Sequence, residues 1–202
     1  MEVAWYPAPG KLNLFLHVLG RRSDGYHELQ TIFRLVDRAD RVGIALRNDK
    51  EVRFSGPFGE DNLCVKAARA LGVGCEPALD LPPAWYLVLT PQVAVSTKET
   101  FASSALTRDT KRLTIPPFFS GQGRNDLEPV VTARYPEVEA QLAWLKGRCP
   151  QARMTGSGAC VFAEFETERQ ARAVHSQLPG GMDGFVARGL ERHPLHDWAD
   201  DS

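Results

Sequence analysis

The stretch PAPGKLNLFLHVLGRRSDGYHELQT, residues 7–31, decides the fold. Leucine and valine recur at every second position from Leu12 to Val18, and Lys11, Asn13, Phe15 and His17 fill the positions between them. A period of two indicates an extended strand whose alternate side chains point to opposite faces. The cluster RRSDG at 21–25 then favours a turn. The chain is therefore predicted to open with a strand, a turn and a returning strand.

The segments that follow predict a change of architecture along the chain. Strand-like runs at 29–36, 41–46 and 52–55 are separated by turn-forming Asp and Asn residues, which is typical of an antiparallel meander. A helix is expected at 62–71 behind an Asp61 N-cap. Beyond Pro82 and Pro83 we expect strands at 85–89, 153–165 (broken by Gly-Ser-Gly) and 185–187, with helices at 97–103, 127–133, 138–145 and 168–178. This order predicts an α+β fold.

The first half has too few helices for its strands. About four strands and one helix would leave an apolar sheet face in contact with water. Either the second half packs on that face, or covering helices are missing from this sequence.

Composition excludes several classes of protein. The chain has 202 residues, of which 43% are hydrophobic and 24% charged, as in an ordinary globular protein. The formal net charge of −1 argues against a polyanion-binding protein, so no nucleic-acid partner is expected. The four cysteines form no CxxC pair, and no metal site is predicted. Since no apolar run approaches a membrane span and no leader pattern is visible, we expect a cytoplasmic protein without a membrane partner. Its oligomeric state is not readable.

Four side chains of the opening stretch are candidates for chemistry. Lys11 and Asn13 share one face of the first strand, and the turn should bring Tyr26 and His27 back near the start of that strand. A lysine attracts a phosphate, a tyrosine ring stacks on a base, and a neutral histidine both donates and accepts hydrogen bonds. The alternative is a solvated strand face followed by an ordinary turn.

A second candidate is the turn in MTGSGACVF, residues 154–162. Gly156 and Gly158 flank Ser157, and glycines let backbone N–H groups approach an anion closely. The alternative is that small residues only permit close packing there.

Together, the two stretches resemble signatures of the GHMP kinase superfamily. Residues 7–31 are similar to the N-terminal signature of the 4-diphosphocytidyl-2-C-methyl-D-erythritol kinase family, of which DGYHELQT (24–31) is the most specific part. MTGSGACVFAEF (154–165) resembles the third GHMP motif. Weaker matches in the family's order are DNLCVKAARAL (61–71), WYLVLTPQVAVSTKETF (85–101) and NDLEPVV (125–131).

The resemblance implies a fold and a reaction. It implies a two-domain GHMP kinase-like fold of antiparallel sheets and helices, with an N-terminal domain at 1–83, incomplete here, and a C-terminal domain at 84–202. It implies an enzyme of non-mevalonate isoprenoid (terpenoid) biosynthesis that uses ATP and Mg²⁺. Its small-molecule substrate would carry a cytidine diphosphate moiety and be phosphorylated on its 2-hydroxyl.

The resemblance also implies roles for individual residues. Lys11 matches the catalytic lysine beside the phosphate-accepting hydroxyl, where its charge would favour the developing alkoxide. The substrate-binding matches are Asn13, the cytosine-recognising pair Tyr26 and His27, and Phe101 on the other side of the base, with Thr97 just before it. Gly156, Ser157 and Gly158 match the motif that lies against the phosphate site. The family usually shows Thr-Pro where this chain has Thr97-Lys98, which is a local departure.

The larger departure is a missing block. No segment resembles the second GHMP motif, whose Gly-rich loop and helix N-terminus would hold the ATP phosphates, and the family's catalytic Asp segment is also absent. The match breaks between Leu71 and Gly72, with a gap of roughly 80 residues that would also supply covering helices. Either the 202 residues omit part of a longer chain, or the block is truly deleted.

Two other functions stay open at this point. A true deletion would leave a non-catalytic cytidine-nucleotide-binding remnant. A GHMP kinase for another small alcohol is the third alternative, against which the segment DGYHELQ argues.

Overall fold

The computed structural model describes residues 3–45, 81–113 and 123–195. Its elements in chain order are β1 (Ala4–Arg21), β2 (His27–Ile44), β3 (Trp85–Leu89), α1 (Thr97–Ala102), α2 (Glu128–Arg134), α3 (Pro136–Lys146), β4 (Arg153–Met154), β5 (Val161–Phe165), α4 (Glu168–His175) and β6 (Gly184–Arg188). Every strand and helix predicted within the second half is confirmed, with bounds shifted by a few residues. The predicted strand at 52–55, the helix at 62–71 and the break between Leu71 and Gly72 lie outside the described residues.

The opening segment is one long antiparallel hairpin, and the predicted meander is wrong for residues 29–44. β1 pairs with β2 from Ala4 opposite Ile44 to Arg21 opposite His27. Asp37, expected in a turn, lies instead where the register shifts between Pro9 and Gly10. A β-bulge absorbs extra residues without reversing the chain. The Asp37 carboxylate accepts a 2.8 Å hydrogen bond from the N–H of Arg188 on β6, which ties the bulge to the second sheet.

The second sheet is antiparallel throughout, with strand order β4-β5-β3-β6. Its centre is β3, WYLVL, which is buried on both faces. Leu87 and Leu89 pack into a core formed with the helices, whereas Tyr86 and Val88 pack into a second core formed with the hairpin. Strand alternation therefore explains why one apolar strand serves two layers. Among the described residues, no helix is long and apolar enough to cross a membrane.

β1 passes between the two cores. Leu12 and Leu14 lie in the core shared by hairpin and sheet, and Leu16 and Val18 lie in the core beneath the helices. The register shifts between Asn13 and Phe15, so Leu14 occupies a bulge. Residues 12–18 are all buried, so no solvated polar face exists on this part of the strand.

The hairpin still exposes apolar side chains away from these cores. The second half covers part of the hairpin, as the isolated bridges from Leu16 to Asn125 and from Val36 to Gly189 show. Trp5, Phe33 and Ile44 remain more than half exposed. Within the described residues, the second half therefore covers only part of the apolar surface of the hairpin.

Candidate active site

The first end of the site is built around Asn13, whose side chain is only 4% exposed. Its Oδ1 accepts a hydrogen bond of 2.7 Å from Lys11 Nζ, and its Nδ2 donates to Thr31 Oγ1 at 2.9 Å. Lys11 Nζ also lies 4.7 Å from the centre of the Phe33 ring. Partial desolvation lowers the pKa of Lys11. The ammonium group is thus held at a defined place, between an amide and an aromatic face.

The glycine turn lies against this end. The N–H of Asn13 donates to Thr155 Oγ1 at 2.7 Å, and a Cβ on Gly156 would lie 3.5 Å from Asn13 Oδ1. Gly156 and Gly158 adopt positive φ angles of 58° and 92°. A Cβ on Gly158 would lie 3.1 Å from Met154 Sδ, so both space and backbone conformation favour glycine there.

The same turn presents backbone donors. The N–H of Gly158 donates to Thr155 O, and that of Thr155 donates to Cys160 O. Within the described part of the chain, the N–H groups of Gly156 and Ser157 have no hydrogen-bond acceptor. Adjacent free N–H groups in such a turn form an anion-binding concavity. We call the side chains of Lys11 and Asn13, with this turn, the acceptor end of the site.

Asn125 holds the glycine turn in place, and the sequence did not mark it as a site residue. Its side chain is 4% exposed, and Nδ2 donates to the carbonyl oxygens of Met154 and Gly156, each at 2.9 Å. Its Oδ1 accepts from the N–H of Leu127 at 3.0 Å. The only available signal was the weak match NDLEPVV, because the partners of Asn125 are about thirty residues away in sequence.

Helix α1 connects the turn to the second end of the site. Ser96 is the N-cap of α1, and its side chain accepts a hydrogen bond of 3.3 Å from the N–H of Glu99. Thr97 Oγ1 and Ser157 Oγ share a hydrogen bond of 2.7 Å. Phe101 follows one helical turn later, about 6 Å along the axis. The helix thus spans the distance from the glycine turn to the hairpin tip, and Lys98 replaces the family's Pro without preventing it.

His27 and Phe101 meet at the second end, which we call the base end. Their ring centres are 5.0 Å apart with an interplanar angle of 31°. Arg108 Nε donates to His27 Nε2 at 3.1 Å, and the same guanidinium donates to the carbonyl oxygen of Phe101 at 2.8 Å. Desolvation lowers the pKa of His27, and the positive charges of Arg108 and Arg21 add to this effect.

The predicted convergence of Lys11 with Tyr26 and His27 is wrong. The hairpin register places His27 opposite Arg21, at the far end of the strand from Lys11, which lies opposite Leu35. Ten residues of extended chain measure about 33 Å along the strand. Tyr26 is 73% exposed at the hairpin tip, next to His27. The structure instead joins the two ends through the glycine turn and α1, elements that lie more than 65 residues later in the chain.

Comparisons with known proteins agree with this architecture. A family model described as "GHMP kinases C terminal" matches residues 115–183. The 4-diphosphocytidyl-2-C-methyl-D-erythritol kinase of Nitrosospira multiformis is 42% identical over 275 aligned positions, which cover 96% of this chain and 94% of that protein. The protein of the same name from Thiobacillus denitrificans is 42% identical over 272 positions, covering 96% and 98%. A crystal structure of 4-(cytidine 5'-diphospho)-2C-methyl-D-erythritol kinase superposes with a TM-score of 0.73 at 20% identity, covering 92% of this chain and 99% of that one.

The comparisons confirm the α+β, GHMP kinase-like fold and also measure the missing block. An alignment of 275 positions is longer than this chain, since 96% of 202 residues is about 194 residues. About 80 positions of the Nitrosospira protein therefore face no residue here, which agrees with the gap expected from the motifs.

Proposed function

This chain belongs to the family of 4-diphosphocytidyl-2-C-methyl-D-erythritol kinases, and from this premise we propose how its site binds the substrate and transfers phosphate to it. The enzyme is an ATP-dependent phosphotransferase of isoprenoid biosynthesis with an alcohol acceptor. The reaction is phosphorylation of the 2-hydroxyl of 4-diphosphocytidyl-2-C-methyl-D-erythritol, which yields ADP. The cytoplasm, where ATP and cytidine nucleotides are available, is its proposed location.

The observation that supports this assignment best is the two-ended site. The acceptor end, at Lys11 and Gly156, is linked through α1 to the base end at His27 and Phe101. An elongated substrate, with a cytosine at one end and a hydroxyl at the other, matches this shape. A compact alcohol would leave the base end without a ligand.

At the base end, we assign the cytosine to Tyr26, His27 and Phe101. A ring sandwiched between two aromatic side chains gains roughly 1–3 kcal/mol per stacked base. Phe101 is already held beside His27, whereas Tyr26 is exposed and free to close from the other side. The imidazole of His27 supplies a directed hydrogen bond, which distinguishes bases as stacking alone does not.

At the acceptor end, Lys11 favours the charge that develops as the hydroxyl attacks. Its ammonium group is fixed by Asn13, so little reorganisation is needed in the transition state. The free N–H groups of the glycine turn, with Ser157 and Thr97 beside them, are placed to hold phosphate oxygens. Since phosphoryl transfer depends on positioning and electrostatics, these are the contributions this chain can make.

ATP supplies the transferred phosphoryl group, and Mg²⁺ would accompany it. In the described part of the chain, no cluster of three or more His, Cys, Asp or Glu side chains forms a metal site. We therefore propose that Mg²⁺ arrives bound to the ATP phosphates, since this ion commonly uses substrate phosphates and few protein ligands. The residues that hold ATP beyond the glycine turn belong to the missing block, together with the expected catalytic Asp.

We place the domain boundary at residues 83 and 84.

Two measurements on the purified protein test the proposal. The intact mass decides whether the chain is 22.4 kDa, the mass of the 202 residues, or larger by the missing block. Phosphorus NMR of a reaction with ATP, Mg²⁺ and the cytidine substrate then detects a phosphomonoester on the acceptor. We expect product from a protein that carries the block between Leu71 and Gly72.

A 22.4 kDa protein that binds CDP but forms no phosphomonoester would overturn the kinase proposal and leave a cytidine-nucleotide-binding remnant. Product from another small alcohol, with no competition by CDP, would overturn the substrate assignment alone.

A further inference from the structure

The guanidinium of Arg108 makes a set of hydrogen bonds that none of the roles assigned above explains. Its Nε donates to His27 Nε2 at 3.1 Å. Its Nη2 donates to the carbonyl oxygens of Phe101 and Ser103 at 2.8 and 2.7 Å, and its Nη1 donates to that of Leu106 at 3.1 Å. One planar side chain therefore holds the carboxyl end of α1 and an imidazole of the hairpin in one fixed relation.

These contacts determine which nitrogen of His27 carries the proton. A guanidinium has N–H donors and no acceptor, so the nitrogen that faces it must be an unprotonated acceptor. Since Nε2 faces Arg108, the neutral ring carries its proton on Nδ1. We propose that Arg108 is a positioning residue that locks His27 in the neutral Nδ1–H tautomer. The nitrogen that does not face Arg108, Nδ1, can then only donate a hydrogen bond to the base. The part concerning the base rests on the proposed function.

The surrounding charges act in the same direction. Protonation of His27 would put a second N–H against the guanidinium and a positive charge beside Arg108 and Arg21. The next residue, Glu28, does not offset this, because its carboxylate pairs with Arg112. The lowered pKa of His27, due first to desolvation and then to these arginines, agrees with a ring that stays neutral near pH 7.

A donor-only histidine is a selective partner for a pyrimidine. Cytosine presents acceptors at N3 and O2, whereas uracil presents an N–H at N3. A locked Nδ1–H matches the acceptors of cytosine and opposes the N3–H of uracil. A histidine free to exchange tautomers could accept from that N–H, so the lock converts an adaptable ring into a discriminating one.

The tautomer can be measured without any ligand. Long-range ¹H–¹⁵N spectra of the full chain at about pH 8, above the ordinary histidine pKa, distinguish protonated from bare ring nitrogens. The His27 signals are assigned by their loss in His27→Gln. We expect a protonated Nδ1 and a bare Nε2 in the wild type, and a mixture or the opposite tautomer in Arg108→Ala. The matched control is Arg112→Ala, which removes a nearby exposed arginine and should leave the tautomer unchanged.

A wild-type spectrum with a protonated Nε2 would overturn the inference without any variant, so it stays testable even if Arg108→Ala does not fold. Unchanged His27 signals in a folded Arg108→Ala protein would also overturn it.

Nucleotide binding tests the consequence for selectivity. Calorimetry should show that the wild type binds CDP more tightly than UDP, and that Arg108→Ala reduces this ratio by about tenfold, the value of one directed hydrogen bond. Arg112→Ala should keep the ratio. A ratio unchanged in Arg108→Ala, with CDP still bound, would overturn the role of Arg108 but leave the proposed function intact. A wild type that shows the Nδ1–H tautomer but binds neither nucleotide would support the lock and overturn the base site.

Discussion

The two ends of the site are built in opposite ways. At the acceptor end, Asn13 and Asn125 are buried, and their side chains hydrogen-bond the exposed Lys11 and the glycine turn. At the base end, Tyr26 is largely exposed, and the partly buried Arg108 joins the hairpin tip to α1. The comparison teaches that the end expected to perform chemistry is held rigidly, whereas the end expected to recognise a ring is left partly open. Such a division fits the greater sensitivity of charge stabilisation to position.

Removing the charge at the acceptor end should give the largest effect. Lys11→Ala is expected to lower kcat by about 10²–10³, as for the loss of one preorganised charge stabiliser, while CDP still binds at the other end. Steady-state kinetics and calorimetry separate the two effects. Lys111→Ala, which removes an exposed lysine that belongs to neither end of the site, is the control. An unchanged kcat in Lys11→Ala would remove this residue from the mechanism.

Removing the lock behind the acceptor end should weaken the fold itself. Asn125→Ala deletes hydrogen bonds to three backbone groups, those of Met154 and Leu127 at buried bonds and that of Gly156 at a partly buried one, which should lower the free energy of unfolding by about 3 kcal/mol. Urea denaturation measures the change. Gln92→Ala, at an exposed amide, should cost less than about 0.5 kcal/mol. If Asn125→Ala lowered the free energy of unfolding as little as Gln92→Ala does, the glycine turn would need no support from Asn125.

Truncation at the base end should affect binding and leave kcat nearly unchanged. Phe101→Ala is expected to weaken CDP binding by about 1–3 kcal/mol through loss of stacking, which raises KM. Trp5→Ala removes an exposed ring from the open end of the hairpin and serves as the matched control. If Phe101→Ala lowered kcat and left KM untouched, the assignment of the two ends would be reversed.

The smallest effect concerns His17, which lies in β1 between the two ends. It is 4% exposed, and among the residues that the structure describes, its two buried ring nitrogens have no hydrogen-bond partner. Desolvation lowers its pKa, which nearby Asp126 raises and Arg124 lowers. Because the unfolded chain binds a proton more readily than the folded one, stability should be complete above about pH 6.5 and fall as the pH drops below it.

Unfolding free energies measured between about pH 7 and pH 5 test this prediction. His17→Leu should make the dependence shallower and leave the part that His27, whose pKa is also lowered, contributes. His193→Leu, near the end of the described residues, should keep the full dependence. A wild-type curve as flat as that of His17→Leu would show that His17 remains neutral or finds a partner when charged.

Local patterns predicted the elements of the second half because their causes are local. The N-cap at Ser96, the apolar run at 85–89 and the Gly-Ser-Gly interruption each depend on neighbouring residues. The same local reasoning wrongly predicted a turn at Asp37. This residue lies in a β-bulge, and its carboxylate accepts a hydrogen bond from the backbone N–H of Arg188, 151 positions away. Pairing with the partner strand overrode the local preference there.

What the sequence alone determined is the α+β class, the hairpin strand and the family, with Lys11, Asn13, Tyr26, His27, Thr97, Phe101 and the glycine turn as candidates. What only the tertiary structure decided is their arrangement. The register put His27 far from Lys11, α1 rejoined the two ends, and Asn125 and Arg108 emerged as the residues that hold each end. The physical reason is that these contacts join segments 29 to 81 positions apart, and a periodicity carries no information about which distant groups will meet.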